Sequence, residues 1–247
     1  MSRKVVVMGS GAAGLTAALA AARDGASVTL LEASGYIGGT TLYSGGMMWL
    51  PLNPLMAQVG KSDSLGSAKA YLDSFNMGRG SQERLDAYLV EGPRMVDFVV
   101  RESPLKLKAA PTFCDYRSEL PGWCEGGRTV EPSPVPGSVL PGSAPPIRPS
   151  PQYPGRLTYE EMIRTGWVYN PAGDGAALHE QRERDDLRTL GFGLVTGLLA
   201  GCLEHGVKVR LNARAIRPVI RSGAVVGVVV EGLDGQSRLG ADAVILG

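Results

Sequence analysis

Three glycines near the amino terminus, in the stretch GSGAAG, have a spacing that can bind a phosphate group. Gly9, Gly11 and Gly14 lie between a valine-rich run and a run with helical periodicity. In a nucleotide-binding turn the first glycine permits a tight exit from a strand and the second lets the backbone approach a pyrophosphate. The third lets a helix pack closely on the sheet. The chain has 34 glycines in 247 residues, so this spacing alone is weak evidence.

The elements around the glycines strengthen the interpretation. Residues 4–8 read as a buried strand, 12–23 as a helix with one apolar face, and 27–31 as a second buried strand. This order is the βαβ crossover of a parallel sheet. A pyrophosphate would then lie at the helix amino terminus, where the helix dipole favours an anion. The amides predicted to bind it are those near Ser10, Ala12 and Ala13.

The residues after the second strand indicate which nucleotide is bound. Glu32 follows that strand directly, where a carboxylate can accept both ribose hydroxyls and disfavours a 2′-phosphate. Two loops of small residues come next, which suits an extended cofactor whose partners are backbone amides and hydroxyls. Together the three glycine clusters predict FAD, with an NAD-dependent dehydrogenase as a distant alternative. The loop residues predicted to bind FAD are Gly38, Gly39, Thr40, Thr41, Ser44, Gly45 and Gly46.

The rest of the chain predicts a mixed domain. We expect a helix over residues 81–100, bent or divided at Gly92-Pro93, and another over 186–204. Between them, residues 104–171 hold 13 of the 17 prolines and predict an irregular excursion or a flexible insertion. Two β-rich runs joined at Ser222-Gly223 predict antiparallel strands that cover or extend the sheet. The closing run ADAVILG predicts one more valine-type strand, and no turn or polar tail follows it, so we expect a truncated protein.

Composition excludes several classes of function. A formal net charge of +1 gives no bulk field for nucleic acid or an anionic membrane. No stretch approaches the roughly 20 apolar residues of a membrane span, and no signal peptide is evident. Three cysteines without a CxxC pair favour a reducing, cytoplasmic location. The only histidines, His179 and His205, have no ligand-spaced neighbour, so no metal site is expected.

Several motifs together resemble those of the 3-ketosteroid dehydrogenases, within the fumarate reductase and succinate dehydrogenase flavoprotein superfamily. They are GSGAAG with its acid, the GGTT and SGG loops, and the W-x-P-x-N of Trp49, Pro51 and Asn53. The segments DYRSELPG and GGRTVEPSPVPG resemble that family's aspartate-tyrosine pair and GGR-x-x-x-P segment. The run TLGFGLVTGLLAGCLEHGVKVRLNARAIRPVI is similar to the family's helix and strand near the adenine end of FAD, with Leu190-Gly191 replacing the usual paired glycine.

The resemblance implies an α/β fold: a Rossmann-like FAD-binding domain with a central parallel sheet, an antiparallel β extension and a long Pro-rich excursion. Family members are about twice as long, so residues 1–247 are expected to be the FAD-binding domain, with the substrate domain absent from this chain. The superfamily's covalent branch attaches FAD through a histidine near the glycine loops. The first histidine here is His179, so non-covalent FAD is expected. By the same resemblance, the backbone of Ala215 would meet the adenine.

The implied reaction removes two hydrogens beside the ketone of a steroid and passes the electrons to an external acceptor. The principal proton-abstracting tyrosine would lie beyond Gly247, and Tyr116 would support it through a hydrogen bond. Alternatively, Tyr116 anchors a proline-rich loop. Two other functions stay open: a flavoprotein reductase of an unsaturated acid such as fumarate, and a non-catalytic FAD-binding fragment.

Overall fold

The computed structural model describes residues 2–148 and 155–247 as a mixed α/β fold with a parallel sheet at its centre. The helices are α1 Ala12–Arg23, α2 Leu65–Asn76, α3 Gln82–Glu102, α4 Tyr159–Arg164, α5 Ala176–Arg184 and α6 Leu190–Glu204. The strands are β1 Lys4–Met8, β2 Ser27–Leu31, β3 Met48–Trp49, β4 Leu107–Ala109, β5 Thr129–Pro132, β6 Val135–Pro136, β7 Leu187–Arg188, β8 Lys208–Arg210, β9 Arg214–Arg221, β10 Ala224–Gly232, β11 Gly235–Gly240 and β12 Ala243–Leu246.

The parallel sheet has the strand order β12-β1-β2-β8, and both of its faces are covered. Successive side chains of β1 lie on opposite faces of the sheet. Val5 and Val7 pack in the main core with α1 and α6, and Val6 lies on the other face. On that face Val6 packs with Val228 and Val230 of the antiparallel sheet β11-β10-β9. Burial on both sides explains why the inner strands are almost wholly apolar.

The predicted βαβ unit and the antiparallel pair are confirmed. β1, α1 and β2 have the predicted bounds, and β12 pairs in parallel with β1. β9 and β10 turn at Ser222 and Gly223, which both have positive φ angles of 50° and 77°. The sheet that they form with β11 covers the central sheet. Strand β11 and helix α2 were not predicted.

Two predicted helices differ from the structure. The first is not divided: α3 runs continuously through Pro93, because its buried face (Leu89, Val96 and Val99) spans both sides of the proline and packs on the core. The second begins only at Leu190. The left-handed φ angles of Asp186 (45°) and Leu190 (55°) interrupt the helix, and β7 between them pairs with β6.

The proline-rich region is irregular, as predicted, and it is tied to the rest of the fold where the structure describes it. Residues 149–154 lie outside the described residues. β5 from this region pairs with β3 on one side and β4 on the other. Ile37, after β2, pairs with Ile147 in an isolated bridge. No helix among the described residues combines the length and apolar composition needed to cross a lipid bilayer.

Candidate functional site

The glycine turn sits at the carboxyl end of β1, where α1 begins. Gly9 has a φ angle of +99°, and its N–H donates to the carbonyl of Leu31 at 2.8 Å. A Cβ atom on Gly14 would lie 2.0 Å from the carbonyl oxygen of Gly9, so the helix can approach the turn this closely only with glycine there. Gly11 is the N-cap of α1 and supplies no side chain to cover its first turn. Apart from the N–H of Ala12, which donates to Thr41, the first-turn amides of this helix fit a pyrophosphate.

Ser10 connects the turn to the predicted ribose acid. Its hydroxyl donates to Oε2 of Glu32 and accepts the N–H of Gly38 at 2.9 Å. The other carboxylate oxygen of Glu32 accepts the N–H of Ser34 at 2.8 Å. Ser10 is 1% exposed and Glu32 is 9% exposed. The sequence placed Ser10 only as a backbone donor, so this role of its side chain was missed.

The two small-residue loops meet α1 and α6 at their amino termini. Thr41 accepts the N–H of Ala12 through its Oγ1 atom at 2.9 Å. The N–H of Gly191, in the first turn of α6, donates to the carbonyl of Ser44 at 3.2 Å. A Cβ atom on Gly191 would lie 1.9 Å from the carbonyl oxygen of Thr41, so glycine is required for this contact. No local sequence pattern indicates that α6 supports both loops.

The other predicted cofactor residues surround the same ends of β1 and β2. Gly38 precedes and Gly39 begins a 3-10 turn over Gly39–Tyr43, and Gly46 has a φ angle of +62°. Ala215 pairs with Val230 in the antiparallel sheet and packs on the apolar cluster that includes Leu31. Exposed positions in the predicted set are Ala13, Gly39, Thr40 and Ser44.

Beside the second loop lies an open, mostly apolar cavity of about 540 Å³. Its lining residues are Ser44, Gly45, Met47, Trp49, Tyr71, Leu72, Phe75, Phe113, Cys114, Asp115, Tyr116, Thr129 and Tyr159. We call this space the aromatic cavity. Its volume is in the range of small-molecule sites, and a lining rich in aromatic rings suits an apolar ligand. Of the predicted cofactor residues, Ser44 and Gly45 reach it.

Tyr116 lies at the rim of the aromatic cavity, where it is 83% exposed. Its ring meets Phe113 edge to face with centroids 5.9 Å apart. Phe113 in turn meets Tyr159, the first residue of α4, at 5.1 Å. With so little of its ring buried, Tyr116 contributes little to anchoring the proline-rich loop.

Helix α4 is held beside the cavity by charged side chains. Thr158 and Glu161 form a capping box at its start, and both carboxylate oxygens of Glu161 accept from Arg182. Burial alone would raise the pKa of Glu161, but these hydrogen bonds lower it below its ordinary value. Glu131, which is fully buried, accepts the N–H of Tyr159 at 2.6 Å. Burial raises the pKa of Glu131 above its ordinary value.

A buried arginine lies behind the cavity wall. Arg128 is 1% exposed and forms a two-pronged pair with Asp63, from Nε at 2.8 Å and Nη2 at 2.7 Å. Its Nη1 atom donates to Asp115 at 2.7 Å and to the carbonyl of Gly122 at 2.8 Å. Nη2 also donates to the hydroxyl of Ser67 at 3.1 Å. Burial alone would lower the pKa of this guanidinium, but the two carboxylates raise it.

Asp115 joins this arginine to the cavity wall. Its Oδ1 atom accepts the indole N–H of Trp49 at 2.6 Å, and Oδ2 accepts the N–H of Cys124 at 3.1 Å. The side-chain amide of Asn53 donates to the carbonyls of Leu50 and Gly127, at 2.7 and 2.9 Å. The W-x-P-x-N and GGR motifs are therefore neighbours in space. Their residues were noted only as a resemblance, and their contacts were not predicted.

Comparison with known proteins identifies the class. The family described as "FAD binding domain" matches residues 4–247. This chain belongs to that family, and its cofactor is FAD, as the glycine clusters predicted.

Two curated relatives show which enzymes of this family the chain is similar to. The chain is 34% identical, over 95% of its length, to a 3-oxosteroid 1-dehydrogenase of Mycolicibacterium smegmatis, of which the match covers 44%. It is 35% identical, over 92% of its length, to a 4-oxocyclohexanecarboxylate 2-dehydrogenase of Sinomonas cyclohexanicum, of which the match covers 40%. The chain thus spans less than half the length of these curated relatives.

A solved structure of a related enzyme has the same fold as this chain. The 3-ketosteroid delta1-dehydrogenase from Sterolibacterium denitrificans, in complex with 1,4-androstadiene-3,17-dione, has a TM-score of 0.89 and 28% identity to this chain. The match covers 100% of this chain and 47% of that one. The resemblance to the 3-ketosteroid dehydrogenases, made from motifs alone, is confirmed.

Proposed function

We propose that this chain is the FAD-binding domain of a dehydrogenase that removes two hydrogens beside the ketone of a steroid. The observation that carries the proposal is the aromatic cavity, which adjoins the predicted flavin loop at Ser44 and Gly45. A cavity with an apolar lining selects a large, neutral ring system by burial of its surface. The names of the relatives support a cyclic ketone as substrate.

The geometry of the loops supports the proposed cofactor-binding roles. The first-turn amides of α1 bind the pyrophosphate, and Glu32, oriented by Ser10, accepts the ribose hydroxyls. Gly45 lines the cavity where a flat ring would lie, Gly46 lets its loop pack on the backbone of Leu190, and the backbone of Ala215 meets the adenine. Bound non-covalently, FAD supplies the acceptor for a hydride. The residues of this chain bind that cofactor and form one wall of the substrate site.

Proton removal requires a base beside the carbonyl of the substrate. We assign that base to a tyrosine of a substrate domain outside residues 1–247, and to Tyr116 the task of hydrogen-bonding it. The exposed position of Tyr116 at the cavity rim supports this role over loop anchoring. The electrons then pass to an external acceptor. We place the protein in the cytoplasm, because a reducing compartment suits the free thiols of Cys114, Cys124 and Cys202.

Charge at the cavity argues against reduction of an unsaturated acid such as fumarate. A dicarboxylate needs arginine or another cation to hold it. Among the described residues that line the cavity there is no lysine, arginine or histidine, and the carboxylate of Asp115 is already paired with Arg128. This wall therefore offers no cation to a dicarboxylate, whereas a neutral ketone needs none.

The test uses the full chain loaded with FAD. We expect the loaded chain to show a flavin absorption spectrum and acid treatment to release the flavin from the polypeptide. Flavin that stays attached after acid would contradict non-covalent binding. Titration with 1,4-androstadiene-3,17-dione should then perturb the flavin spectrum, whereas fumarate should not. Phe113→Ala should weaken the steroid response, and the matched Phe98→Ala, away from the cavity, should not. A response to fumarate alone would overturn the proposed substrate, and FAD binding without either response would favour a non-catalytic FAD-binding fragment.

A further inference from the structure

We propose that Asp115, held by Arg128, is a positioning residue that fixes the Trp49 indole and the Tyr116 loop at the wall of the aromatic cavity. The proposal rests on the proposed function only in treating that cavity as the substrate site. Neither Asp115 nor Arg128 has a chemical step of its own. Their effect is exerted through the two aromatic side chains that they hold.

The arginine has no hydrogen-bonding capacity left for any other task. A guanidinium has five N–H donors, and all five of those of Arg128 are used within the protein. Two are directed at Asp63, which lies at the start of the segment leading to α2, and one at Asp115. At 1% exposure Arg128 cannot reach a ligand in the cavity. It is a rigid link between two segments of the cavity wall.

The charges of the cluster explain why Trp49 belongs to it. Two buried carboxylates face one guanidinium, and their side chains are each 2% exposed. A buried carboxylate with unmet lone pairs is costly, so Asp115 needs neutral donors as well as Arg128. The indole N–H of Trp49 at 2.6 Å is such a donor. The hydrogen bond is charge-assisted and directional, and it therefore sets the rotation of the indole ring.

Ring contacts complete the placement of Trp49. Its indole stacks on Tyr88 with centroids 6.4 Å apart and planes 6° apart, and meets Tyr71 at 5.8 Å. Stacking alone lets an aromatic ring slide or flip in its plane, whereas the bond to Asp115 permits one orientation. Since Trp49 and Tyr71 both line the cavity, that orientation shapes the surface offered to a ligand.

The same aspartate fixes the start of the Tyr116 loop. The backbone N–H of Asp115 donates to the carbonyl of Cys124 at 2.9 Å, and its carbonyl accepts the indole N–H of Trp123 at 2.9 Å. With backbone and side chain both held, the next residue is directed outward to the cavity rim. This arrangement gives an exposed tyrosine a defined position without burying its ring.

The experiment compares Asp115→Asn with wild type, both FAD-loaded. Asparagine keeps the size of the side chain but loses the charge that binds Arg128 and strengthens the Trp49 bond. We expect acrylamide quenching of Trp49 fluorescence, isolated by difference from Trp49→Phe, to rise severalfold. Affinity for 1,4-androstadiene-3,17-dione should fall about tenfold. In the Trp49→Phe background, Asp115→Asn should have a much smaller effect on that affinity.

Controls separate positioning from folding. Asp186→Asn removes a carboxylate that is also paired with arginine, here Arg156 and Arg188, but is half-exposed and lies away from the cavity. It should leave both readouts unchanged. If Asp115→Asn does not fold, Arg128→Lys keeps the positive charge but loses the two-pronged geometry, and should show the same changes in smaller measure.

The outcomes are distinguishable. A lower unfolding midpoint in Asp115→Asn, with Trp49 quenching unchanged, overturns the positioning role and leaves a structural one. If wild type does not bind the steroid but Trp49 quenching changes as expected, the proposed substrate is wrong and the positioning inference stands. Full steroid affinity in Asp115→Asn would overturn the inference even with altered quenching.

Discussion

The region that surrounds the cofactor loops and the region that surrounds the aromatic cavity are built in opposite ways. The first uses backbone amides, glycines, small hydroxyls and the single carboxylate of Glu32, and its closest approaches are those where no side chain could fit. The second uses large rings held by a buried guanidinium and two carboxylates. The first can be disrupted by adding one methyl group, the second by removing one charge.

The largest effect on stability should come from removing the buried charge. Arg128→Met leaves the carboxylates of Asp63 and Asp115 buried without a cation. Breaking such a cluster costs about 3–5 kcal/mol, which urea unfolding would measure. Arg94→Met is the control, because Arg94 and its partner Glu91 are mostly exposed, and it should cause no measurable loss. Equal stability of the two variants would show that the cluster is not what holds the cavity region.

The addition of one methyl group to the glycine turn should be nearly as disruptive. In Gly14→Ala the new Cβ atom meets the carbonyl oxygen of Gly9, and the backbone must move. We expect a loss of about 3 kcal/mol in unfolding free energy and no FAD absorption after gel filtration. Gly66→Ala, where nothing lies within 4 Å, should lose neither. Normal FAD binding by Gly14→Ala would mean that the turn is not the phosphate site.

A smaller effect is expected from the hydroxyl that links the loops. Ser10→Ala removes the hydroxyl's bonds to Glu32 and Gly38, so the acid is held only by the backbone N–H groups of Ser10 and Ser34 and is less firmly oriented. FAD binding should weaken by about 1 kcal/mol, measured by fluorescence titration. Ser237→Ala, on the exposed strand β11, is the matched control. An unchanged FAD affinity in Ser10→Ala would show that Glu32 needs no such orientation.

The smallest effect concerns pH and the helix beside the cavity. The folded pKa of Glu161 lies below its unfolded value, so its stabilisation is present above the unfolded pKa and lost as pH falls through the folded one. The unfolding free energy falls as the pH is lowered from about 5 to 3. Glu161→Gln should make that fall smaller, by less than about 1 kcal/mol.

Glu131 should behave with the opposite sign. Its folded pKa is raised, so ionisation destabilises the fold as pH rises above the unfolded pKa, near 4.3. Glu131→Gln should make the unfolding free energy depend less on pH between the unfolded pKa and the raised folded pKa of Glu131. If both variants changed the pH profile in the same direction, the opposite environments of the two carboxylates would be refuted.

The same contrast explains what the sequence could predict. Gly9, Gly14 and Glu32 belong to one βαβ unit, and local periodicity and spacing are enough to locate them. The bond between Arg128 and Asp63 joins positions 65 residues apart, and no local pattern indicates it. Pro93 predicts a bend or a division of its helix from local sequence alone, and α3 is not divided because Val96 and Val99, after the proline, pack in the main core. Leu190 adopts a left-handed conformation that a leucine rarely takes, and its side chain is buried with Leu157 and Met162.

The exposed thiol in the aromatic cavity gives the molecule a native chemical handle. Cys114 lines the cavity and is exposed, whereas Cys202 is buried under α1 and burial raises its pKa to about 12. Because only the thiolate reacts with electrophiles, Cys202 is inert near neutral pH, and of the two other thiols Cys124 is half-buried while Cys114 is exposed at the cavity. The rate at which Cys114 is alkylated therefore reports whether the cavity is occupied, without a labelled ligand or an engineered residue.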